Sequence, residues 1–298
     1  MPLPQPTNNI NGAWLVAFGA ILWGTTGTTQ AFAPTGTNPL TIGTIRIIGG
    51  TLALLAITYW RGEINFVRQW RIWPKSATIL AAICIAAYQL FFFAGIARTG
   101  IAIGTIVGIG STPITAGILD WFSQHKRPSN RWFWATTLAV VGCGLLILSS
   151  GSLEIDVTGI LFAVGAGVTY AIYTFFSKSL LAAKPPGPVL VMTFGLGALF
   201  LLPLLLWGDF SWLREPSGLF VAVHLGVITV GLGYFLFATG LKKTTVSTAA
   251  TMTLAEPLTA GLLAIFVVGE QLTAVALLGI GLLFAGLLLL AVRPTKPD

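Results

Sequence analysis

The sequence predicts an all-α membrane protein of ten transmembrane helices, arranged as two inverted five-helix repeats, and three observations carry that expectation. The first is composition: of 298 residues, 55% are hydrophobic and 8% charged, with a mean hydropathy of +0.87, whereas soluble domains carry about 25% charged residues. The second is spacing, because apolar windows of about 20 residues, the length that crosses a bilayer, recur ten times with short connections between them. The third is an internal echo: Ser111-Thr-Pro-Ile-Thr-Ala-Gly117 returns 144 positions later as Ala255-Glu-Pro-Leu-Thr-Ala-Gly261. A repeat on that scale points to a duplicated half-protein.

In chain order the windows are 11–32, 39–60, 74–98, 101–122, 130–149, 157–181, 188–207, 216–240, 245–268 and 272–292. Turn-forming runs separate them, such as Pro34-Thr-Gly-Thr-Asn-Pro39, Lys126-Arg-Pro-Ser-Asn130 and Lys184-Pro-Pro-Gly-Pro188. The first window is long enough to span and no basic run precedes it, so it is expected to stay in the protein rather than be cleaved. The ninth contains the stretch Leu254 to Gln271, read as one helix that sets Glu256 and Pro257 inside apolar sequence. Lipid satisfies neither group, so this helix is expected to face protein or a polar cavity.

Charge gives the orientation. With the N-terminus in the cytoplasm, 13 of the 16 Lys and Arg residues fall on the inner side, while Glu154, Asp156, Asp209, Glu215 and Glu270 fall outside. Both termini are then expected in the cytoplasm. The net charge of +7 belongs to these short loop runs, which implies a lipid bilayer as partner and no nucleic acid. Five helices per half is an odd number, so a direct sequence repeat inserts the second half (153–293) upside down relative to the first (11–150). Such a pair has two nearly equivalent packings, one open to each side. Helices 1 to 4 and 6 to 9 are expected to line the space between the halves, with 5 and 10 outside.

The elements Leu254-Ala-Glu-Pro257 with Gly269-Glu270, Trp23-Gly24, Asn38-Pro-Leu-Thr41 followed by Arg46, Tyr88-Gln89 with Gly95, and Gly110-Ser-Thr-Pro113 together resemble the EamA-type drug/metabolite transporters. The resemblance covers 11–293 in register. Within that family, Tyr88-Gln-Leu-Phe-Phe-Phe-Ala-Gly95 is similar to bacterial exporters of amino acids, including aromatic ones. The resemblance implies a monomeric secondary transporter that exports a small-molecule substrate, an amino acid or similar metabolite, across the inner membrane by alternating access. Its alternatives are export or import of another metabolite or drug, or a uniporter or channel-like facilitator. The first half departs from the pattern: Thr112 stands where the second has Glu256, and Ser123-Gln124 where it has Gly269-Glu270. Charge roles of the ninth helix are therefore not expected in the fourth.

Nine of the ten Trp residues lie near expected helix ends, where amphipathic rings meet the headgroups. Trp23 lies mid-helix. With Tyr88, Tyr170, Tyr173 and Tyr234 it forms either a box around an amphipathic solute or a packed helix interface. Gln89 and Ser111, within the family-like segments, join the substrate-binding candidates together with Glu256. Arg46 lies inside the second window, where an arginine near the bilayer centre costs at least ~2.5 kcal/mol. Two roles are open: a bidentate grip on a substrate carboxylate, or a tie to backbone carbonyls or to Glu256. Paired with Arg46, Glu256 is structural; unpaired, it is able to exchange a proton during the cycle. Arg98 and Lys242 align at an offset of 144 near helix ends and, with Pro113 and Pro257, are candidates for a gate or hinge; interfacial anchoring is the other reading of the two cations.

Enzyme classes leave no trace. There is no HExxH, no serine beside a plausible histidine, no paired aspartates and no Walker motif. Cys84 and Cys143 sit apart inside apolar windows, and His125 and His224 lack ligand spacing, so neither metal nor cofactor is expected.

Overall fold

Backbone groups in lipid must be satisfied within the chain, and helices are the way a single segment does it. The computed structural model describes residues 10–99, 101–124, 129–149, 156–206, 208–263 and 273–291, and all regular structure among them is helical. In order come α1 (Ile10–Gly24), α2 (Thr26–Gln30), α3 (Pro39–Trp60), α4 (Ile64–Arg68), α5 (Lys75–Thr99), α6 (Ile101–Gln124) and α7 (Asn130–Ser149). Then follow α8 (Val157–Ala183), α9 (Pro186–Leu201), α10 (Pro216–Val223), a π-helical stretch His224–Gly233, α11 (Tyr234–Leu241), α12 (Val246–Met252), α13 (Ala255–Leu263) and α14 (Ala274–Ala291). Among the described residues, five segments are long and apolar enough to cross a membrane: Pro39–Trp60, Lys75–Thr99, Val157–Ala183, Pro186–Leu206 and Pro216–Leu241. Sequence features at His125, Lys126, Arg127, Glu154, Trp207, Gly269, Glu270, Arg293 and Lys296 lie outside the described residues.

Local chemistry sets the ends. Asn38 accepts a hydrogen bond from Leu40 N at 2.9 Å with Pro39 at the first helical position, which starts α3. Gly62, at φ 68°, stops it, because Gly62 N donates to Tyr59 O and Glu63 N to Thr58 O, the paired bonds of a left-handed helix terminus. Asp156 caps α8 through Gly159 N, and Thr245 caps α12 through Thr248 N.

Three expected single helices are composite. The first is interrupted at Thr25, and the eighth changes to π geometry over His224–Gly233. The ninth, expected as one helix from 245, stops at Met252 and restarts at Ala255. The cause is Pro257, which cannot donate to the Thr253 carbonyl four residues earlier. That carbonyl is taken instead by Glu256 N at 2.9 Å, and the chain turns.

Packing joins the two halves of the chain throughout. The α5 helix packs on α8, α6 on α8, α3 on the π stretch and α9, α1 on α11 and α13, and α7 on α14. The last contact is close enough to exclude side chains. A Cβ at Gly142 would stand 2.6 Å from Gly279 O, and one at Gly286 would stand 2.6 Å from Ala135 O. The residue number rises along α7 as it falls along α14, so this pair is antiparallel. Trp14, Trp60, Trp121 and Trp134 are exposed as headgroup rings should be, but Trp73 and Trp212 are buried. Trp73 is held by its bond to Phe66 O, so a position near a helix end does not by itself place an indole in the interface.

Candidate functional site

A small cavity, about 10 Å³ and so on the scale of one water, opens where α1, α3, α5, α6, α8, α11 and the α12–α13 turn converge. Trp23, Arg46, Tyr88, Tyr170, Tyr234 and Glu256 line it, and each of the six is a residue the sequence singles out. The rings touch one another: Trp23 lies 4.5 Å from Tyr234 and 6.1 Å from Tyr170, and Tyr88 lies 5.1 Å from Tyr170. The indole of Trp23 donates to Thr229 O at 2.8 Å, so the π stretch supplies the partner that a mid-helix tryptophan needs.

The two charges on the wall are deeply buried, Arg46 at 3% and Glu256 at 7% exposure. Neither tie expected of Arg46 is made. Its Nε has no hydrogen-bond partner among the described residues, and no Arg46–Glu256 contact falls within 4.0 Å. Glu256 stands in the first turn of α13, where the positive end of the helix dipole favours a carboxylate.

Other candidates stand off the cavity. Tyr173 is fully buried behind the ring cluster, 6.0 Å from Phe194 and 6.3 Å from Tyr234. Gln89 is buried with its amide nitrogen and oxygen both unpartnered among the described residues, but it is not on the wall. Ser111 turns back to Gly108 O at 2.9 Å, and a Cβ on Gly167 of α8 would collide with its hydroxyl. The seventh helix, expected on the wall, stands behind it: Phe194 of α9 packs 4.6 Å from Tyr234.

Among the gate candidates, Arg98 forms an ion pair with Asp156 at 3.3 Å, and Lys242 donates to Lys184 O at 3.2 Å, so both are tied at helix ends. Pro113 lies within an uninterrupted α6, whereas Pro257 marks the break before α13. Sequence reasoning passed over Thr112 and Thr253, which line the cavity, although Thr112 is the repeat partner of Glu256. Lys178 is one of the 13 cations placed on the inner side. That ammonium in fact closes the end of α11, donating to Leu241 O and Thr244 O at 2.6 Å each, while Asp120 accepts from Ser247 N at 2.8 Å and closes the start of α12.

Opposite charges and aromatic rings buried where many membrane helices meet are the build of a carrier for small solutes. The chain belongs to the EamA-like transporter family, whose model matches residues 10–148 and again 157–292. It is similar to the "Uncharacterized transporter YwfM" of Bacillus subtilis (strain 168), 45% identical over 282 residues and 94% of each chain. The "Threonine/homoserine exporter RhtA" of Escherichia coli (strain K12) is 27% identical over 280 residues, 91% of this chain and 87% of that one. A crystal structure at 20% identity has the same fold, with a TM-score of 0.79 over 93% of this chain and 95% of that one. The protein is a multi-pass membrane transporter of the EamA kind.

Proposed function

We propose that the protein is a secondary exporter of small metabolites, amino acids including aromatic or neutral ones, working by alternating access in the inner membrane. In this reading it has ten spans, both termini are cytoplasmic, and residues 11–150 and 153–293 are inverted repeats that act as one monomer. The observation that carries it is a cavity shared between the halves, with Trp23, Arg46 and Tyr88 from the first and Tyr170, Tyr234 and Glu256 from the second.

The inverted arrangement is supported by packing partners that exchange when the halves are exchanged. The α5–α8 contact has its counterpart in α11–α1, and the α6–α8 contact in α13–α1. The close contacts of α7 and α14 exchange at the same offset of 144, Gly142 with Gly286 and Ala135 with Gly279. An antiparallel pair that exchanges with itself has its twofold axis across the helices, which is the membrane plane if the helices span. The amino-acid reading draws support from the likeness to the threonine/homoserine exporter.

Counterflow in liposomes loaded with a panel of unlabelled amino acids tests it. Saturable uptake of labelled amino acid, accelerated by the same compound inside, is expected. Flux that neither saturates nor responds to the internal amino acid would place the protein with channel-like facilitators, and no flux across the panel would refute the proposal.

A further inference from the structure

We infer that Arg46 and Glu256 form a split headgroup site for the zwitterion of an α-amino acid, the guanidinium taking the carboxylate and the carboxyl the ammonium. The inference rests on the amino-acid reading above and assigns the recognition chemistry. Arg46 and Glu256 are the charged groups on the cavity wall, one of each sign. Both are more than nine-tenths buried, yet no ion pair joins them within 4.0 Å. Two opposite charges kept for architecture alone would be expected to close on each other, because an uncompensated buried charge is costly.

Of the other polar groups on the wall, the Tyr170 hydroxyl also has no partner among the described residues, but it carries no charge. The Trp23 indole is committed to Thr229 O, and the hydroxyls of Thr112 and Thr253 donate to Gly108 O and Ala250 O of their own helices. A ligand with one charge would leave the other protein charge unmatched. A ligand with a carboxylate and an ammonium on one carbon satisfies both and keeps the filled cavity neutral. Its side chain then faces Tyr88, Tyr170 and Tyr234, rings that accept an aliphatic or aromatic group.

At about 10 Å³ the cavity is far smaller than an amino acid, so the described packing is a contracted one that must widen to load. Two irregular segments border it: the turn between α12 and α13, and the π stretch that holds Trp23. Each lets part of a span shift without unwinding the whole helix.

The test uses the full-length protein in liposomes. Counterflow of labelled L-phenylalanine and L-threonine is competed by the unlabelled compounds, by their amines phenethylamine and threoninol, and by their acids 3-phenylpropionate and 3-hydroxybutyrate. In the wild type, amines and acids should compete at least about 30-fold less well than the amino acids, the size of one lost charge pair. Glu256→Gln should weaken the amino acid and strengthen its acid, which no longer leaves a protein charge unmatched, until the two compete alike. Arg46→Gln should do the same for the amino acid and its amine. A purely architectural role predicts that each variant weakens all three ligands alike, and that result overturns the inference, as does a wild type that does not discriminate among them. Should Arg46→Gln fail to fold, the wild-type analogue series and Glu256→Gln still decide. Failure of every amino acid to exchange removes the transport reading itself, whereas exchange without headgroup discrimination removes this inference alone.

Discussion

The fourth and ninth windows carry the same Pro-x-Thr-Ala-Gly run and fold differently. The α6 helix passes through Pro113 without interruption, while the second copy stops at Met252 and starts again at Ala255. Behind the proline the copies agree, since Thr115 donates to Ser111 O and Thr259 to Ala255 O. Before it they differ. Ser111 and Thr112 both turn their hydroxyls onto Gly108 O, the carbonyl next to the Ile109 carbonyl that Pro113 leaves without an N–H. The second copy has Ala255 and Glu256 at these positions, and Thr253 is occupied with Ala250 O. Here the chain turns and begins a new helix with a carboxylate in its first turn. Two residues before a shared proline separate a continuous wall from a broken, charged one.

Moving the charge to the other copy is expected to have the largest effect. The double substitution Glu256→Thr with Thr112→Glu keeps the composition of the cavity, because both positions line it. It also takes the carboxylate away from a helix start and puts it within an unbroken helix. Initial counterflow rates should fall about 100-fold, in line with the 2 to 5 kcal/mol that a mispaired buried charge costs. A rate within about threefold of wild type would mean that the cavity reads charge and not its position.

The prolines come next. Pro257→Ala returns a donor to the Thr253 carbonyl and favours one continuous ninth helix, so exchange should slow by about 10-fold even as the thermal midpoint rises. Pro113→Ala acts on a helix that is already continuous and should change the rate by less than about twofold. Equal slowing by the two variants would show that the break is not what distinguishes the copies.

These differences mark how much was legible beforehand. The windows, the duplication and six wall residues follow from apolar length, from one repeated heptapeptide and from polar groups in apolar surroundings, all of which are local properties. The break in the ninth window was not legible, because Pro113 and Pro257 stand in the same repeated run and look alike in sequence. Tyr173 was grouped with the box since a tyrosine within a helix has no visible facing; α8 turns Tyr170 to the cavity and Tyr173 toward α9. Lys178 counts in the sequence only as an inner-side charge near the end of its window, and Asp120 carries no expectation there. Their role as caps for α11 and α12 depends on which helix ends arrive beside them, which is a tertiary fact.

The two copies are also bound at their ends by capping aspartates, and the weakest effect is expected there. Asp120, at the end of α6, is buried and caps α12 of the second copy, whereas Asp156 lies at the surface, caps α8 and meets Arg98 of α5. The Asp156 carboxyl is held below the usual carboxylate range, chiefly by the Gly159 N–H and further by the hydrogen bond and charge of Arg98. A depressed pKa in the folded state means that its stabilisation is complete above the unfolded value of about 3.9 and is lost as pH falls through the lower folded value. The Asp156 carboxyl is therefore ionised throughout pH 5 to 8. Asp156→Asn, which keeps an oxygen to cap Gly159 N, should leave counterflow within about twofold of wild type across that interval. It should flatten the fall of the thermal midpoint only below about pH 4. Thermal midpoints of both proteins from pH 3 to 8 measure this, and a difference between them that changes above pH 5 would show that the Asp156 carboxyl is not held below its ordinary range.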